Sequence, residues 1–472
     1  MAFTTVPINV AGPSYQHRSR PLSSQSTINF YQEFDESGKS PFTLQSFPGQ
    51  KLFAASSGID RGQNVMREVL FRVAGSRLQE ISKSGVITDR GEITGAERCV
   101  MANDGVNLFI VHAGLVQQYS SSTELLTFVT DPDIVGSNAV DFLNNQFVYT
   151  KPDLFVISDV GNGASASGLN AAQAESQPDD LIRAYVFGQL VYMLGERSTE
   201  VWYNSGTGSP PFVRIETQII SIGIAALHSV SNNDSFMYWL GDDRQVYRAA
   251  GGRQVRITSI AIAHAIEGYS TVDDAIGWTM TIEGQNFYIL TFPTENQTWA
   301  LNEGLGSDGW FQLSAGLDGG RYQANSHSWV YGKHLVSHET SGNVLELDLD
   351  TFTNNGEIIK RTRVLGSISG EKIGARGKRL QMSRFELILE SGVGLISGQG
   401  EDPIIIIEAS YDGGKSFAAE TFMKIGRLGE TNIRAEWWGL QSFYDLIIRI
   451  TTSDPVHYTL QSAAIDLRLA GR

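Results

Sequence analysis

A single cysteine, Cys99, stands in 472 residues, so no intramolecular disulfide can form and thiolate zinc clusters are excluded. That usage suits folding in a reducing cytoplasm. Long apolar runs are missing too: even the all-isoleucine stretch Ile404 to Ile407 is far too short to cross a bilayer. Met1 to Val10 carry no Lys or Arg and no extended apolar core, so neither a secretory signal nor a membrane partner is expected. Positive charge is in short supply, with 36 Lys and Arg against 51 Asp and Glu and a net charge of −15. An acidic surface repels phosphate backbones, which excludes a generic DNA-coating protein. The familiar catalytic signatures are absent as well. Gly377-Lys378 is followed by Arg379 in place of the Ser or Thr of a phosphate loop, and neither a Gly-x-Ser-x-Gly elbow nor a His-Glu-x-x-His pair occurs. No cofactor is expected.

What the chain does have is glycine, 49 residues, and aromatic residues at 10%. Short runs rich in Val, Ile, Phe, Tyr and Trp are broken by Gly, Asn, Asp and Ser, a pattern of brief strands and tight turns. From about residue 65 these runs repeat. Apolar triplets centred on Leu70, Phe109, Phe147, Val191, Met237, Tyr288 and Leu335 recur every 38 to 51 residues. Several are followed by a second strand ending in an aromatic, as in Val201-Trp202-Tyr203, Gln245-Val246-Tyr247 and Gln297-Thr298-Trp299. One four-stranded unit cannot bury both of its faces, but units packed radially cover one another. The expectation is an all-β chain with a β-propeller of six or seven blades over 61–350.

Both flanks of the repeat differ from it. Residues 1–60 read as an extended N-terminal arm, with a polar stretch from Ser14 to Ser26 holding His17, Arg18 and Arg20, and a first strand. Beyond Asp350, residues 351–384 read as a basic linker. Within 360–384, Lys360, Arg361, Arg363, Lys372, Arg376, Lys378, Arg379 and Arg384 face the single acid Glu371. That stretch is a candidate contact with a neighbouring subunit, a solvated linker, or a contact with DNA. Strand patterns from Phe385 onward predict a C-terminal β-sandwich over 385–472.

Few residues suggest chemistry. Ser410, Asp412, Gly414 and Phe417 fit the Asp-box turn, in which the carboxylate accepts from the turn backbone, glycine takes positive φ and the aromatic tucks into the core. The turn is frequent in sialidases but lies away from catalysis there, so it reads as structural. His334 and His338 lie four residues apart on a strand pattern, roughly 13 Å, too far for one ion. Asp348-x-Asp350 fails as a calcium loop because Phe352 stands at the next liganding position. The pairs Asp179-Asp180, Asp242-Asp243 and Asp273-Asp274 read as turn acids. The arginines look evenly spread along the chain.

Several stretches, taken in order, resemble the packaged-DNA stabilisation, or tail-hub, proteins of short-tailed phages. They are Ser26 to Glu33 with its Asn-x-Tyr-x-Glu element, Leu44 to Gly49, Ile59 to Gly62 with Val69 to Val73 and Gly75 to Leu78, and Gly195 to Tyr203. Phe287 to Pro293 with Thr298-Trp299, Ser410 to Phe417, Gly429-Glu430, Arg434, Trp438-Gly439 and Ile447 to Ile450 follow. The resemblance implies a homo-oligomeric ring, a hexamer, beneath the portal and its adaptor. Such a ring closes the DNA exit channel, stabilises packaged double-stranded DNA and receives a tail needle, tailspike or distal tail proteins. It implies a virion tail protein made in the host cytoplasm, and no catalytic residues carry over. The alternative on the same fold is a phage tail enzyme or lectin acting on host surface glycans. That reading would require Arg, Tyr and carboxylates converging near the propeller axis.

Overall fold

The computed structural model describes residues 3–19, 23–34, 41–174, 179–418, 420–439 and 442–470; Arg20 lies outside them. The chain is all-β. Among the described residues, seven four-stranded antiparallel sheets follow one another as blades, over 60–92, 100–128, 139–172, 181–220, 231–256, 276–313 and 324–348. Six are built from consecutive strands alone; the last borrows its outer strand, Gly49–Ala54, from the front of the chain, paired to Val344–Asp348. In four blades the first two strands are joined by the same two-residue turn with both residues at positive φ. These are Arg67-Glu68, Asn144-Asn145, Glu283-Gly284 and Tyr331-Gly332. Such turns match the right-handed twist of the strands they connect.

The recurring apolar triplets are the second strand of each blade, and the sheet geometry explains why they are apolar throughout. Side chains alternate between faces, and each face of a blade meets a different neighbour. In Asn107–His112, Leu108 and Ile110 pack with Phe71 toward the first blade, while Phe109 and Val111 pack with Phe147 toward the third. The same division recurs around the ring, giving seven separate inter-blade cores. Aromatic contacts mark several of them: Phe109 to Phe147 at 4.4 Å, Phe155 to Trp202 at 5.1 Å, and Tyr238 stacked on Tyr288 at 5.0 Å. Each such ring contributes about 1.5–3 kcal/mol by burial.

The sandwich is not attached by a linker. The outer strand of the sixth blade, Trp310–Leu313, meets Ser24–Ile28, which pairs with Arg361–Val364. That strand pairs with Asp445–Thr452, then come Ile404–Ser410 and Thr421–Lys424. One sheet of eleven strands therefore runs from the propeller into the sandwich. The facing sheet holds Phe30–Phe34, Phe42–Ser46, Thr459–Leu469, Leu380–Leu389 and Ala435–Trp438, with Thr4–Ile8 laid on Thr459–Leu469.

Two expectations change accordingly. Residues 1–60 are extended but do not form a free arm: Val6, Ile8, Val10, Phe30 and Leu44 belong to the sandwich core. Neither is 351–384 a linker over its whole length, since Arg361–Val364 is a buried strand at the centre of the seam.

Candidate functional site

The seam is held by side chains from distant parts of the sequence. Phe30 and Tyr31 are adjacent, so they point to opposite faces of their strand. Phe30 enters the sandwich core, and Tyr31 enters the core between the sixth and seventh blades, against Phe287 at 5.3 Å. Just before them Asn29, at φ 57, donates through Nδ2 to the carbonyls of Ser314 at 2.9 Å and Lys360 at 2.8 Å; its Oδ1 accepts from the Ser314 amide at 2.9 Å. One asparagine thus ties the first segment to the end of the sixth blade and to the start of the strand Arg361–Val364.

Arg363 is 1% exposed and forms no ion pair among the described residues. Its guanidinium donates to Val10 O at 2.7 Å, Pro13 O at 3.1 Å, Thr27 Oγ1 at 2.8 Å and Gln25 Oε1 at 2.8 Å. Burial pushes its pKa down to about 9. Beside it, a Cβ on Gly12 would stand 2.4 Å from Arg363 Nη2, so a side chain there would displace the guanidinium. Arg361 is fully buried, its pKa pushed down to about 10 by burial; one nitrogen reaches Ile359 O at 3.4 Å while Nε and Nη2 have no acceptor.

The basic stretch therefore does not form one surface. Arg363 is inside because carbonyls and side chains of the N-terminal segment receive it, while Arg361 is buried with a single bond to Ile359 O. Lys360 lines a 530 Å³ cleft at the seam with Glu408, Glu420, Arg449 and Asp318, and donates to Leu317 O at 3.2 Å. Lys372, Arg376, Lys378 and Arg379 remain exposed on the loop before Leu380–Leu389, where Arg376 pairs with Glu371 at 3.1 Å. Of the eight cations, Lys360, Lys372, Arg376, Lys378 and Arg379 are exposed, Arg384 is half-buried, and Arg361 and Arg363 are withdrawn from any partner.

The Asp-box turn forms as a turn. Asp412 accepts from Ser416 Oγ at 2.6 Å, Ser410 Oγ at 2.7 Å and the Lys415 and Ser416 amides, and these bonds hold its carboxyl well below the usual range. Gly414, at φ 85, is packed against Ser24. Phe417 departs from expectation: it is half-buried outside the core, with the Arg449 guanidinium 4.1 Å over its ring. Arg449 also makes a two-pronged ion pair with Glu408 across the strands, so this corner faces the cleft and does not fill the interior.

The remaining candidates divide cleanly. His334 faces His327, Nδ1 to Nε2 at 3.0 Å, between Trp278 and Trp329; burial, followed by the His334 charge, pushes His327 down to about 3. His338 accepts from the Thr340 and Ser341 amides. Asp348 accepts from Lys51 at 2.7 Å and Thr351, fastening the ring-closing strand. Asp179, Asp242 and Asp274 accept from the backbone amides of Arg197, Gly223 and Thr294. Cys99 is buried, which pushes its thiol up to about 11. Among the described residues no three His, Cys, Asp or Glu side chains converge on a possible ion, and no helix is long and apolar enough to cross a membrane.

Comparison with known families settles the type. The family model described as the β-propeller of bacteriophage P22 Gp10 matches residues 4–352, and that of the P22 Gp10 β-sandwich matches 368–468. The chain belongs to the P22 Gp10 family. It is thus a structural phage protein of the packaged-DNA stabilisation family, a component of the virion. The first match begins at residue 4, so it takes in the segment that threads both Gp10-type domains. No curated protein matches the chain. Among solved structures, the computationally designed Ika8 protein is 11% identical over 72% of this chain and 99% of its own, with a TM-score of 0.39. The β-propeller domain of Cps50 (Swd1) from Myceliophteria thermophila is 9% identical over 62% and 97%, at 0.42, and BamB from Moraxella catarrhalis 8% over 68% and 95%, at 0.39. At that distance these likenesses carry no functional argument.

One grouping in this Gp10-family chain escaped the sequence reading. The arginines are not evenly spread in space. Arg98 pairs with the buried Asp60 at 3.5 Å and donates to Asn325 O at 3.4 Å. Arg183 donates to Leu227 O at 2.7 Å and lies 5.1 Å over the Tyr185 ring, and both arginine charges act on His228. Arg321, ion-paired with Glu339, also feels Arg98. Carboxylates lie among them, and Asp274 Oδ1 is buried without a hydrogen-bond partner among the described residues. Asp141 accepts the Phe142 and Val186 amides, one per oxygen, and Asp60 Oδ2 accepts from Ser326 Oγ at 2.9 Å.

Proposed function

We propose that the chain is a tail-hub subunit that closes the DNA exit channel after packaging. In this reading it assembles as a homo-oligomeric ring, a hexamer, below the portal-adaptor protein. There it retains packaged double-stranded DNA and docks a tail needle, tailspike or distal tail proteins. The observation that carries the reading is the ordered match of both P22 Gp10 domains along the chain. The continuous sheet across the seam supports it mechanically. A subunit that resists the outward push of confined DNA benefits from a junction made of ladder hydrogen bonds, which leaves no flexible tether to stretch. The acidic balance is compatible with a channel wall along which DNA slides without sticking. Exposed Lys372, Arg376, Lys378 and Arg379 are suited to an acidic surface of the next subunit.

The deciding experiment is imaging of virions assembled without this protein. Heads that fill and then lose their DNA are expected; stable full heads would reject the reading. Electron microscopy of the purified protein with its portal-adaptor assembly should reveal a closed ring that reversal of Arg376 and Lys378 to Glu weakens. The alternative, a glycan-acting tail propeller, draws on the arginines grouped near the axis. Turnover of a polysaccharide by the purified monomer would establish it in place of the hub.

A further inference from the structure

Inner strands of a propeller all run the same way along the axis, so the residues that open them gather at one end of it. In all seven blades that position, or one within three residues of it, carries a titratable side chain: Asp60, Arg98, Asp141, Arg183, His228, Asp274 and Arg321. Contacts link them in two groups. Arg98 touches Asp60 and the Asn325 carbonyl, Arg321 Nη1 reaches Asn325 Oδ1 at 3.5 Å, and Arg183 holds the Leu227 carbonyl beside His228.

The members are unequally satisfied. Asp60 is shared between Arg98 and the fully buried Arg72, and Arg321 has Glu339. Arg183 forms no ion pair among the described residues, and its Nε, enclosed by protein, has no acceptor. Arg98 Nε is likewise without one. An enclosed guanidinium nitrogen without an acceptor is costly, and the cost falls when an oxyanion accepts from it. We infer that this end of the propeller axis is a binding site for a phosphate-type oxyanion, held by Arg183 and Arg98 with His228 and Arg321 beside them. A tetrahedral anion offers acceptors in several directions at once, which fits donors arriving from the second, fourth, fifth and seventh blades. The shifts agree: burial lowers Arg183 and Arg321, and burial followed by the charges of Arg98 and Arg183 takes His228 well below its ordinary value. Carboxylates temper this charge without removing it, since Asp141 acts on Arg183 and Asp274 on Arg321, yet burial still outweighs them in both.

The chemistry is shared by free phosphate and by the phosphates of nucleic acid, so the test has two arms. Calorimetric titration of the full chain with inorganic phosphate, at constant ionic strength set by chloride, is expected to show saturable binding. Arg183→Gln should weaken it about tenfold or more, the loss of one charge-assisted contact. His228→Phe, which keeps the volume, should weaken it as well and serves if the first variant fails to fold. A short DNA duplex forms the second arm. Duplex binding with the same Arg183 dependence assigns the site to nucleic acid, and phosphate binding alone assigns it to the free ion; either sustains the site. Absence of saturable phosphate and duplex binding, or equal binding by wild type and folded Arg183→Gln or His228→Phe, overturns it.

Discussion

The propeller and the sandwich bury their side chains in opposite ways. Around the propeller the apolar residues are divided among seven small cores, most of them filled by strands close in sequence, such as Phe109 with Phe147. The sandwich has one core, and it is filled from both ends of the chain: Val6, Ile8 and Val10 pack with Ile465 and Leu467. The first arrangement tolerates local changes blade by blade, while the second makes a single unit of residues more than 450 positions apart. The segment from Thr4 to Ala54 belongs to both, since its strands enter the sandwich and close the ring.

The largest effects should come from the two neighbours that divide this segment. Phe30→Ala is expected to cost about 3–5 kcal/mol and to lower the unfolding transition of the sandwich, and Tyr31→Ala to lower that of the propeller. Differential scanning calorimetry reports which transition moves; a single transition shifted equally by both would show that the seam makes the domains one cooperative unit. Next comes Arg363→Met, expected to cost on the order of 3 kcal/mol because Val10 O, Pro13 O, Thr27 and Gln25 lose their donor while buried. Limited proteolysis should then cut near residues 10–25 first; retention of wild-type protection there would deny the clamp.

A smaller effect is expected in the propeller alone. His327 stays neutral in the folded protein to about pH 3, against 6.5 when unfolded, so the unfolded chain binds more protons between those values and stability falls as pH drops through them. The slope is at most about 1.4 kcal/mol per pH unit. Urea midpoints of wild type at pH 7, 6 and 5 should decline more steeply than those of His327→Phe; parallel lines would contradict it. The least effect belongs to the Asp-box turn. Asp412→Ala should lower the sandwich Tm slightly at neutral pH. Because its folded pKa is depressed, the wild-type advantage is present above the ordinary aspartate value of 3.8 and fades as pH falls below it, so the two melting curves should converge in acid.

The contrast also explains what could be seen in the sequence. A blade places its second strand between two neighbours, so Leu108-Phe109-Ile110 has to be apolar throughout, and seven such triplets announce the ring. The seam sends no such signal. Arg361-Thr362-Arg363-Val364 has charged residues in the positions where a buried strand normally has apolar ones, and the groups that satisfy Arg363 lie more than 330 residues earlier. Lacking those partners, a run of cations reads as a solvated linker. Phe417 misled for a related reason: the turn motif was legible, but Arg449, which covers the ring, is 32 positions away. The axial group was hidden because Arg98, Arg183, His228 and Arg321 come from four blades, and aligning the blades on their inner strands is the signal that would have assembled them.

The pairing of Thr4–Ile8 with Thr459–Leu469 has a consequence for synthesis. A ribosome delivers the first of these strands long before the second, so the nascent chain carries it unpaired while the blades form one after another. A polypeptide released before residue 459 lacks the partner strand, and with it a large part of the sandwich interior. Prematurely ended chains are therefore marked by a missing domain face, and a growing particle that grips that face would admit only finished subunits.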